Sequence, residues 1–142
     1  MRVPGCGKRN AEIFFCGEFP GVQESREGEP FVGRTSRDFN KHLLPLLGLR
    51  RGDVWLTNLY REFVPDGQTY DKEQKARDIE ELREELAAVN PRLIVPIGAA
   101  ATRFFLGDDA DLDEVHGILW RDPNHETRLI FPPAHIAAYT PE

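Results

Sequence analysis

Residues 13–33 read IFFCGEFPGVQESREGEPFVG and join a short apolar run to a loop rich in glycine, proline and acidic residues. The run over residues 13–16 is bounded by glycine and predicts a short buried β-strand. Glu18 follows in a tight turn at the carboxyl end of this strand, where open α/β sheets bind ligands. A polar loop carrying Glu24 comes next, and Phe31 then returns an aromatic ring towards the same crevice. The local pattern favours equally a plain turn with Phe31 tucked into the core.

The rest of the chain alternates helical and strand-like patterns. Apolar residues at helical spacing and continuous apolar runs distinguish the two kinds of element, and Pro45 is an awkward residue within the first helix. Helices are predicted over residues 35–47, 71–90 and 98–106, and strands over residues 54–58, 93–98, 116–120 and 127–131, with an acidic loop at 107–114. The charge run of the second helix indicates a solvated outer face. This alternation predicts a three-layer α/β/α sandwich with a short, mainly parallel central sheet.

Length and composition favour one intracellular domain. The 142 residues, 40% of them apolar, suit a single domain over residues 1–142, with residues 1–10 as a loosely ordered arm. A formal charge of −6 argues against a surface that binds nucleic acid everywhere, but allows a local basic patch. Cys6 and Cys16 are too few for a disulfide scaffold. No run reaches the roughly 18 apolar residues of a membrane span, so we expect a cytoplasmic monomer without membrane contact.

Four segments together resemble one known family. They are GEFPG and PFVG in the first loop, LTNLYREFVPDG at residues 56–67, RLIVPIGAAATRFFLG at residues 92–107, and PPAHIAA at residues 132–138. These are similar to the GExPG, PFVG, TNVVKxRPP, RPKVIVALGxxAAxxLLG and HPAA motifs of the uracil-DNA glycosylase superfamily, in its family 4 and family 5 form. The resemblance implies an enzyme that hydrolyses the N-glycosidic bond of uracil in DNA, as in base excision repair.

The resemblance also implies a role for individual residues. Phe31 would stack on a uracil flipped out of the duplex. Asn58 would read the base, since its carbonyl accepts from N3–H while its amide donates to O4. His135 would donate to the developing negative charge on O2. The other expected site residues are Glu18 and Glu24 as acids acting on water or the sugar cation, the backbone of Gly17 and Phe19 against the uracil edge, and Arg34, Arg37, Lys41, Arg61 and Arg103 against DNA phosphates.

The chain departs from the family pattern at three places. Family 4 relatives bind an iron–sulfur cluster through four cysteines, whereas this chain has Cys6 near the first pair and Glu62 and Asp78 at the later positions. Because carboxylates do not replace thiolates on such a cluster, we expect neither a cluster nor another metal. Ile136 replaces the proline after the motif histidine, and Gly67 stands where several family 4 members have asparagine. The acid of GExPG, Glu18, favours family 4 over family 5.

Two alternatives remain open at this level. A catalytically inactive family member could serve as a nucleic-acid or protein-binding module, because a fold does not fix a function. An active one could remove another modified base or cleave a nucleoside. The feature that separates these hypotheses is whether Glu18, Phe31, Asn58 and His135 converge on one pocket of the size of a base.

Overall fold

A six-stranded sheet forms the centre of the computed structural model, which describes residues 2–133 apart from the side chain of Thr35. The strands are β1 (Cys6–Gly7), β2 (Ile13–Gly17), β3 (Trp55–Asn58), β4 (Leu93–Pro96), β5 (Trp120–Arg121) and β6 (Leu129–Ile130). Their spatial order is β1-β3-β2-β4-β6-β5. The four inner strands pair in parallel, and β1 and β5 add antiparallel at the edges. The predicted mainly parallel sheet is therefore confirmed.

Both faces of the sheet are covered, because successive residues of β2 point to opposite sides. Phe14 and Cys16 pack with Leu82 and Phe105 in one buried cluster. Phe15 packs in a second cluster with Phe39 and their neighbours. The first cluster lies under α3 (Lys72–Val89) and α4 (Ala99–Leu106), and the second lies under the helical segment that follows the first loop. These layers confirm the α/β/α sandwich.

The helix α3 begins and ends as its sequence predicts. The side chain of Asp71 caps it by accepting from the Glu73 N–H at 3.3 Å. Asn90 ends it in the left-handed conformation (φ +50°), and Arg128 donates to the Asn90 side chain at 3.0 Å. Among the residues that the structure describes, no helix, α3 included, is long and apolar enough to cross a membrane.

The prediction of one continuous helix over residues 35–47 is wrong. The segment consists of a 3₁₀ turn (Arg34–Ser36), a π-helical turn (Phe39–Leu43) and one turn of α-helix, α2 (Leu44–Leu46). Pro45 has no N–H to donate to a carbonyl one turn earlier, and the Leu44 N–H reaches back five residues to the Phe39 carbonyl. The wider π turn results, and such turns often occur at functional sites.

Three other expectations need correction. Residues 2–10 are not a loose arm, because Val3 is 1% exposed and β1 pairs with β3. The polar loop after Glu18 contains a short helix, α1 (Val22–Glu27), and the acidic loop contains α5 (Leu112–Val115). The strands expected over residues 116–120 and 127–131 are reduced to the two-residue strands β5 and β6. Short strands of this kind have too few residues to show a period of two.

Candidate active site

A cavity of about 280 Å³ opens at the carboxyl ends of β2 and β3. Gly17 and Asn58, the last residues of these two strands, are direct partners in the parallel register. The position agrees with the rule that open α/β sheets bind ligands at this edge. The lining consists of Gly17, Glu18, Phe19, Pro20, Gly21, Glu24, Phe31, Ser36, Asn58 and Ile97. Six of the residues predicted from the sequence therefore meet in one cavity.

Asn58 presents a buried amide to this cavity. The residue is 5% exposed and lines the cavity. A primary amide carries both a donor and an acceptor, so it can bind a ligand whose edge offers the matching pair. A Cβ atom on Gly17 would lie 2.6 Å from Asn58 Oδ1, so only glycine leaves the amide its place.

Phe31 places its ring in the cavity from an unfavourable backbone conformation. Its φ is +56°, in the left-handed region that bulky residues rarely adopt. The ring stacks on Phe39 with centroids 5.1 Å apart and an interplanar angle of 27°. Phe39 is fully buried and also contacts Phe15 edge-to-face. Phe31 thus belongs to the buried cluster of Phe15 and Phe39, is 8% exposed, and also lines the cavity.

Glu24 lines the cavity, but its carboxylate is committed to the loop. It accepts from the backbone N–H groups of Gly21 and Val32, each at 2.9 Å, and from that of Gly33. These contacts cap α1 and close the loop against residues 32–33. These contacts give Glu24 a structural role in the loop, and its expected action on water or on a sugar cation stays a prediction.

Glu18 and Phe19 lie at the mouth of the cavity. Glu18 is exposed and lines the cavity, so its carboxylate is accessible to a ligand there. Phe19 packs on Tyr60 and Tyr70 with centroid distances of 4.8 and 5.5 Å. Burial, followed by the charges of Glu18 and Asp78, raises the pKa of Tyr60. Tyr60 therefore remains a neutral neighbour of Glu18 at physiological pH.

A basic groove adjoins the cavity through the loop at Gly33. It has a volume of about 450 Å³, and its described lining carries the positive charges of Arg34, Arg37 and Lys41 and no negative charge. All three side chains are exposed. Three of the five basic residues expected at phosphates are thus brought together. Arg103 is exposed on α4 and does not line this groove.

Arg61 is not a surface phosphate ligand, contrary to expectation. It is 1% exposed, and its Nη1 donates to Glu85 Oε2 at 2.5 Å and to Thr57 Oγ1 at 3.1 Å. The sequence places it beside Asn58 on the same loop, but only the tertiary structure reveals that α3 covers it.

Residues 4–140 match the family model described as the uracil DNA glycosylase superfamily. The chain belongs to this superfamily. Curated relatives named type-4 uracil-DNA glycosylase include those of Sulfurisphaera tokodaii (31% identical), Archaeoglobus fulgidus (38%) and Thermotoga maritima (35%). The matches cover 96%, 72% and 81% of this chain but only 64%, 51% and 60% of the respective relatives.

Glu62 and Asp78, at positions that match iron–sulfur ligands of family 4 members, belong to a polar network in this chain. Arg2 donates to Asp78 at 2.9 Å and to Glu81 at 2.8 Å, and it lies 3.8 Å from Glu62. The carboxylate of Asp78 also accepts from Tyr70, at 2.5 Å, and from the Arg61 N–H, at 2.8 Å. These groups are oxygens and a guanidinium, so they do not fit a cluster that needs thiolates.

This network also corrects the interpretation of α3 as having only a solvated charge run. Asp78, Glu81 and Glu85 lie along one side of the helix and face Arg2 and Arg61. Burial would raise the pKa of Asp78, but the hydrogen bonds from Tyr70, the Arg61 N–H, Arg2 and Gln74 outweigh it and hold that pKa below its ordinary value. Asp78 therefore stays ionised in the folded protein at neutral pH.

Four residues in or around the site could not be predicted from the sequence pattern. Arg51 and Asn40 hydrogen-bond the backbone carbonyls of the loop at Pro30 and Phe31. Ile97 and Ser36 complete the lining of the cavity. A long-range contact to a backbone carbonyl depends on the fold, so local pattern does not indicate it. His135, the expected donor to O2 in this superfamily, lies outside the described residues.

Proposed function

We propose that this chain is a uracil-DNA glycosylase, which hydrolyses the bond between uracil and deoxyribose in DNA. The observation that carries the proposal is the meeting of the Asn58 amide, the Phe31 ring and the Glu18 carboxylate in one cavity. Membership of the superfamily and the printed names of the relatives support it. A cavity of about 280 Å³ is large enough for one pyrimidine base.

Binding of the base follows from the chemistry of Asn58 and Phe31. A uracil turned out of the stack would lie against the free face of Phe31, which offers dispersion without demanding hydrogen bonds. The carbonyl of Asn58 would accept from uracil N3–H, and its amide would donate to O4. Cytosine presents an acceptor at N3 and a donor at N4, so the same amide would meet it unfavourably. Asn58 would thereby provide the selectivity.

The bond-breaking step would use water without a covalent enzyme intermediate. The C1′–N1 bond breaks, and its electron pair leaves with uracil as negative charge shared by N1 and O2. A water oxygen bonds to C1′ and releases a proton to solvent or to Glu18, whose carboxylate would also stabilise the positive charge on the sugar. Backbone groups at Gly17 and Phe19 would contact the uracil edge. A proton donor to O2 at His135 remains a prediction.

DNA would approach along the basic groove. Arg34, Arg37 and Lys41 line a surface continuous with the loop that carries Phe31, so phosphates flanking the flipped nucleotide would lie there. The overall charge of −6 would make this binding modest and strongly dependent on salt. Action as a monomer in the cytoplasm without membrane contact remains a prediction of the sequence.

We also propose that this activity needs no iron–sulfur cluster. The support is chemical: Glu62 and Asp78 supply carboxylates where thiolates would be required, and Asp78 is already bonded to its neighbours. Cys16 is fully buried in the core. Iron analysis and the visible absorption spectrum of the purified protein test this directly, because bound iron with a sulfide-type absorption band would contradict it.

The test of the proposed function is excision from defined oligonucleotides. Single- and double-stranded DNA carrying one labelled uracil would be incubated with the protein at low salt, and abasic sites would then be cleaved with alkali. We expect cleavage at uracil and none at cytosine in the same position. Asn58→Ala should lower the rate roughly a hundredfold or more, because it removes the reading contact.

Two controls make this result decisive. Asn10→Ala changes the same residue type at an exposed turn and should retain the wild-type rate. His135→Ala tests the predicted donor and excludes a contaminating glycosylase. Equal cleavage by all variants, or no cleavage with uracil-DNA binding intact, would contradict the proposal. Retained binding without excision would instead indicate a binding module or a different modified base.

A further inference from the structure

Phe31 is held in its unfavourable conformation by a clamp on the backbone carbonyls of Pro30 and Phe31. The Phe31 carbonyl accepts from Asn40 Nδ2 at 2.6 Å and from Arg51 Nη1 at 2.8 Å. The Pro30 carbonyl accepts from Arg51 Nη2 at 2.8 Å. Asn40 Oδ1 in turn accepts from Arg51 Nη1 at 2.9 Å. One planar guanidinium therefore fixes two successive carbonyls and a second clamping side chain.

The clamp connects three parts of the fold that otherwise meet only through the core. Asn40 lies in the π-helical turn Phe39–Leu43, whose first residue supports the Phe31 ring from behind. Arg51 lies in the 3₁₀ turn Arg51–Asp53, immediately before the strand β3 that ends at Asn58. Arg51, which donates to the Phe31 carbonyl, therefore precedes the same short strand that ends at Asn58.

Neither clamping side chain lines the cavity. Arg51 is absent from the described lining, and Asn40 lines the adjoining basic groove instead. Glu29 lies 3.6 Å from Arg51 and offsets its charge outside the clamp. Arg51 therefore does not line the cavity, and its hydrogen bonds to the Pro30 and Phe31 carbonyls are the contacts that link it to the Phe31 ring.

We propose that Arg51, with Asn40, is a positioning residue that sets the Phe31 ring at the distance and angle required to stack on the flipped base. A lysine cannot replace it, because a single ammonium lacks the planar fork that reaches both carbonyls. Without the clamp, Phe31 relaxes to an ordinary backbone conformation and its ring leaves the stacking position. This inference rests on the proposed function for its catalytic consequence, but not for its structural one.

The activity test is a double-mutant cycle between Arg51 and Phe31. Arg51→Met keeps an aliphatic stem and removes the donors, and it should lower kcat/KM for uracil-DNA on the order of tenfold to a hundredfold. Arg51→Lys should recover little of this loss. In a Phe31→Ala background, Arg51→Met should cause almost no further loss, because the ring that it positions is gone. Equal losses in both backgrounds would overturn the proposal.

The matched control is the neighbouring arginine. Arg50 is 89% exposed at its side chain and contacts only Asp53, at 3.6 Å, among the described ion pairs. Arg50→Met makes the same chemical change one residue away and should leave kcat/KM unchanged. A loss equal to that of Arg51→Met would indicate a general effect of charge, and would also overturn the proposal.

A spectroscopic test does not depend on activity. The nine phenylalanines can be labelled with 4-fluorophenylalanine, and the Phe31 resonance can be assigned by its disappearance in Phe31→Leu. Arg51→Met should shift or broaden this ¹⁹F resonance while most others stay in place, and Arg50→Met should change none. An unchanged Phe31 resonance would overturn the clamp even in an active enzyme. If the wild type does not excise uracil, the proposed function fails and this spectrum still decides the positioning role.

Discussion

At the scale of single residues, the site depends on a glycine without a Cβ atom at position 17 and on the unfavourable φ of Phe31. The space that a Cβ atom on Gly17 would occupy is taken by the Asn58 side chain from the neighbouring strand. Phe31 adopts φ +56°, where a phenylalanine costs of the order of 1–3 kcal/mol. Structures keep such residues when the surroundings fix them, and Glu24, Asn40 and Arg51 do so here.

Gly17→Ala should reduce activity without unfolding the protein. The new Cβ would lie 2.6 Å from Asn58 Oδ1, so the amide must move away from its reading position. We expect a loss of excision rate on the order of a hundredfold, with a thermal unfolding midpoint close to that of the wild type. Gly52→Ala is the matched control, because a Cβ at Gly52 meets nothing within 4 Å. An active Gly17→Ala enzyme would remove Asn58 from the proposed mechanism.

At the scale of elements, α3 connects the amino-terminal segment to the loop after Asn58. Asp78, Glu81 and Glu85 face Arg2 and Arg61, and Tyr70 donates to Asp78. Buried ion pairs gain little on balance when complete, but are costly when one partner is removed. The atoms Nε and Nη2 of Arg61 have no hydrogen-bond partner among the described residues, so this network is already incompletely satisfied.

The stability contributed by Asp78 should depend on pH in a defined direction. Its pKa is lower in the folded protein than the ordinary value of about 3.9 in an unfolded chain. The contribution is therefore complete above about pH 4 and is lost as the pH falls through the folded pKa. In urea unfolding from pH 7 to pH 2, Asp78→Asn should lower the free energy of unfolding at neutral pH and flatten its acid dependence.

Asp66→Asn provides the comparison for this measurement. Asp66 is exposed in a turn, so its loss should leave both the neutral stability and the acid dependence near those of the wild type. Identical pH profiles for Asp78→Asn and the wild type would show that this carboxyl group does not link folding to protonation.

Sequence patterns predicted the elements whose own residues determine them. The apolar runs of β2, β3 and β4 and the capped α3 were found near their observed limits. The helical segment at residues 34–46 was predicted as one helix, because propensity does not show how Pro45 and Asn40 divide it. The two-residue edge strand β1 was not found, and β5 was predicted only as the end of a longer strand over residues 116–120. Their existence depends on the neighbouring strand and not on their own sequence.

The residues of the site likewise divide into those that local sequence predicts and those that only the folded structure reveals. Gly17, Glu18, Phe19 and Asn58 were predicted because they lie at or just after strand ends within motifs, and Phe31 was predicted from the PFVG motif. Arg61 was misassigned to the surface, although it is buried against Glu85. Arg51 and Asn40 were missed because their partners are backbone carbonyls 20 and 9 residues away. Contacts of this kind become visible only after the chain has folded.

At the scale of the whole molecule, the charge is distributed unevenly. The chain has a formal charge of −6, yet the groove beside the cavity presents Arg34, Arg37 and Lys41 together. For the proposed DNA binding, we expect phosphates to approach along this groove, because it collects three positive charges on a chain of net negative charge. The groove should therefore dominate the dependence of binding on salt.

The triple variant Arg34→Ala, Arg37→Ala, Lys41→Ala tests this distribution. Each phosphate contact contributes about 0.7–0.9 to the slope of log K against log salt concentration, so the slope for a uracil oligonucleotide should fall by about two. Fluorescence anisotropy at several NaCl concentrations measures it. Arg92→Ala is the control, because Arg92 precedes β4 at the opposite end of the parallel strands. An unchanged slope in the triple variant would place the DNA elsewhere.

The two edges of the sheet affect the tendency of the protein to aggregate at high concentration. Each edge strand, β1 and β5, is only two residues long and antiparallel to its neighbour. Lys8 and Arg9 follow β1 directly, and Arg121 lies within β5. Short, charged edges offer an incoming strand few backbone groups for pairing. We therefore expect the parallel strands at the centre of the sheet to be protected from edge-to-edge pairing with another molecule.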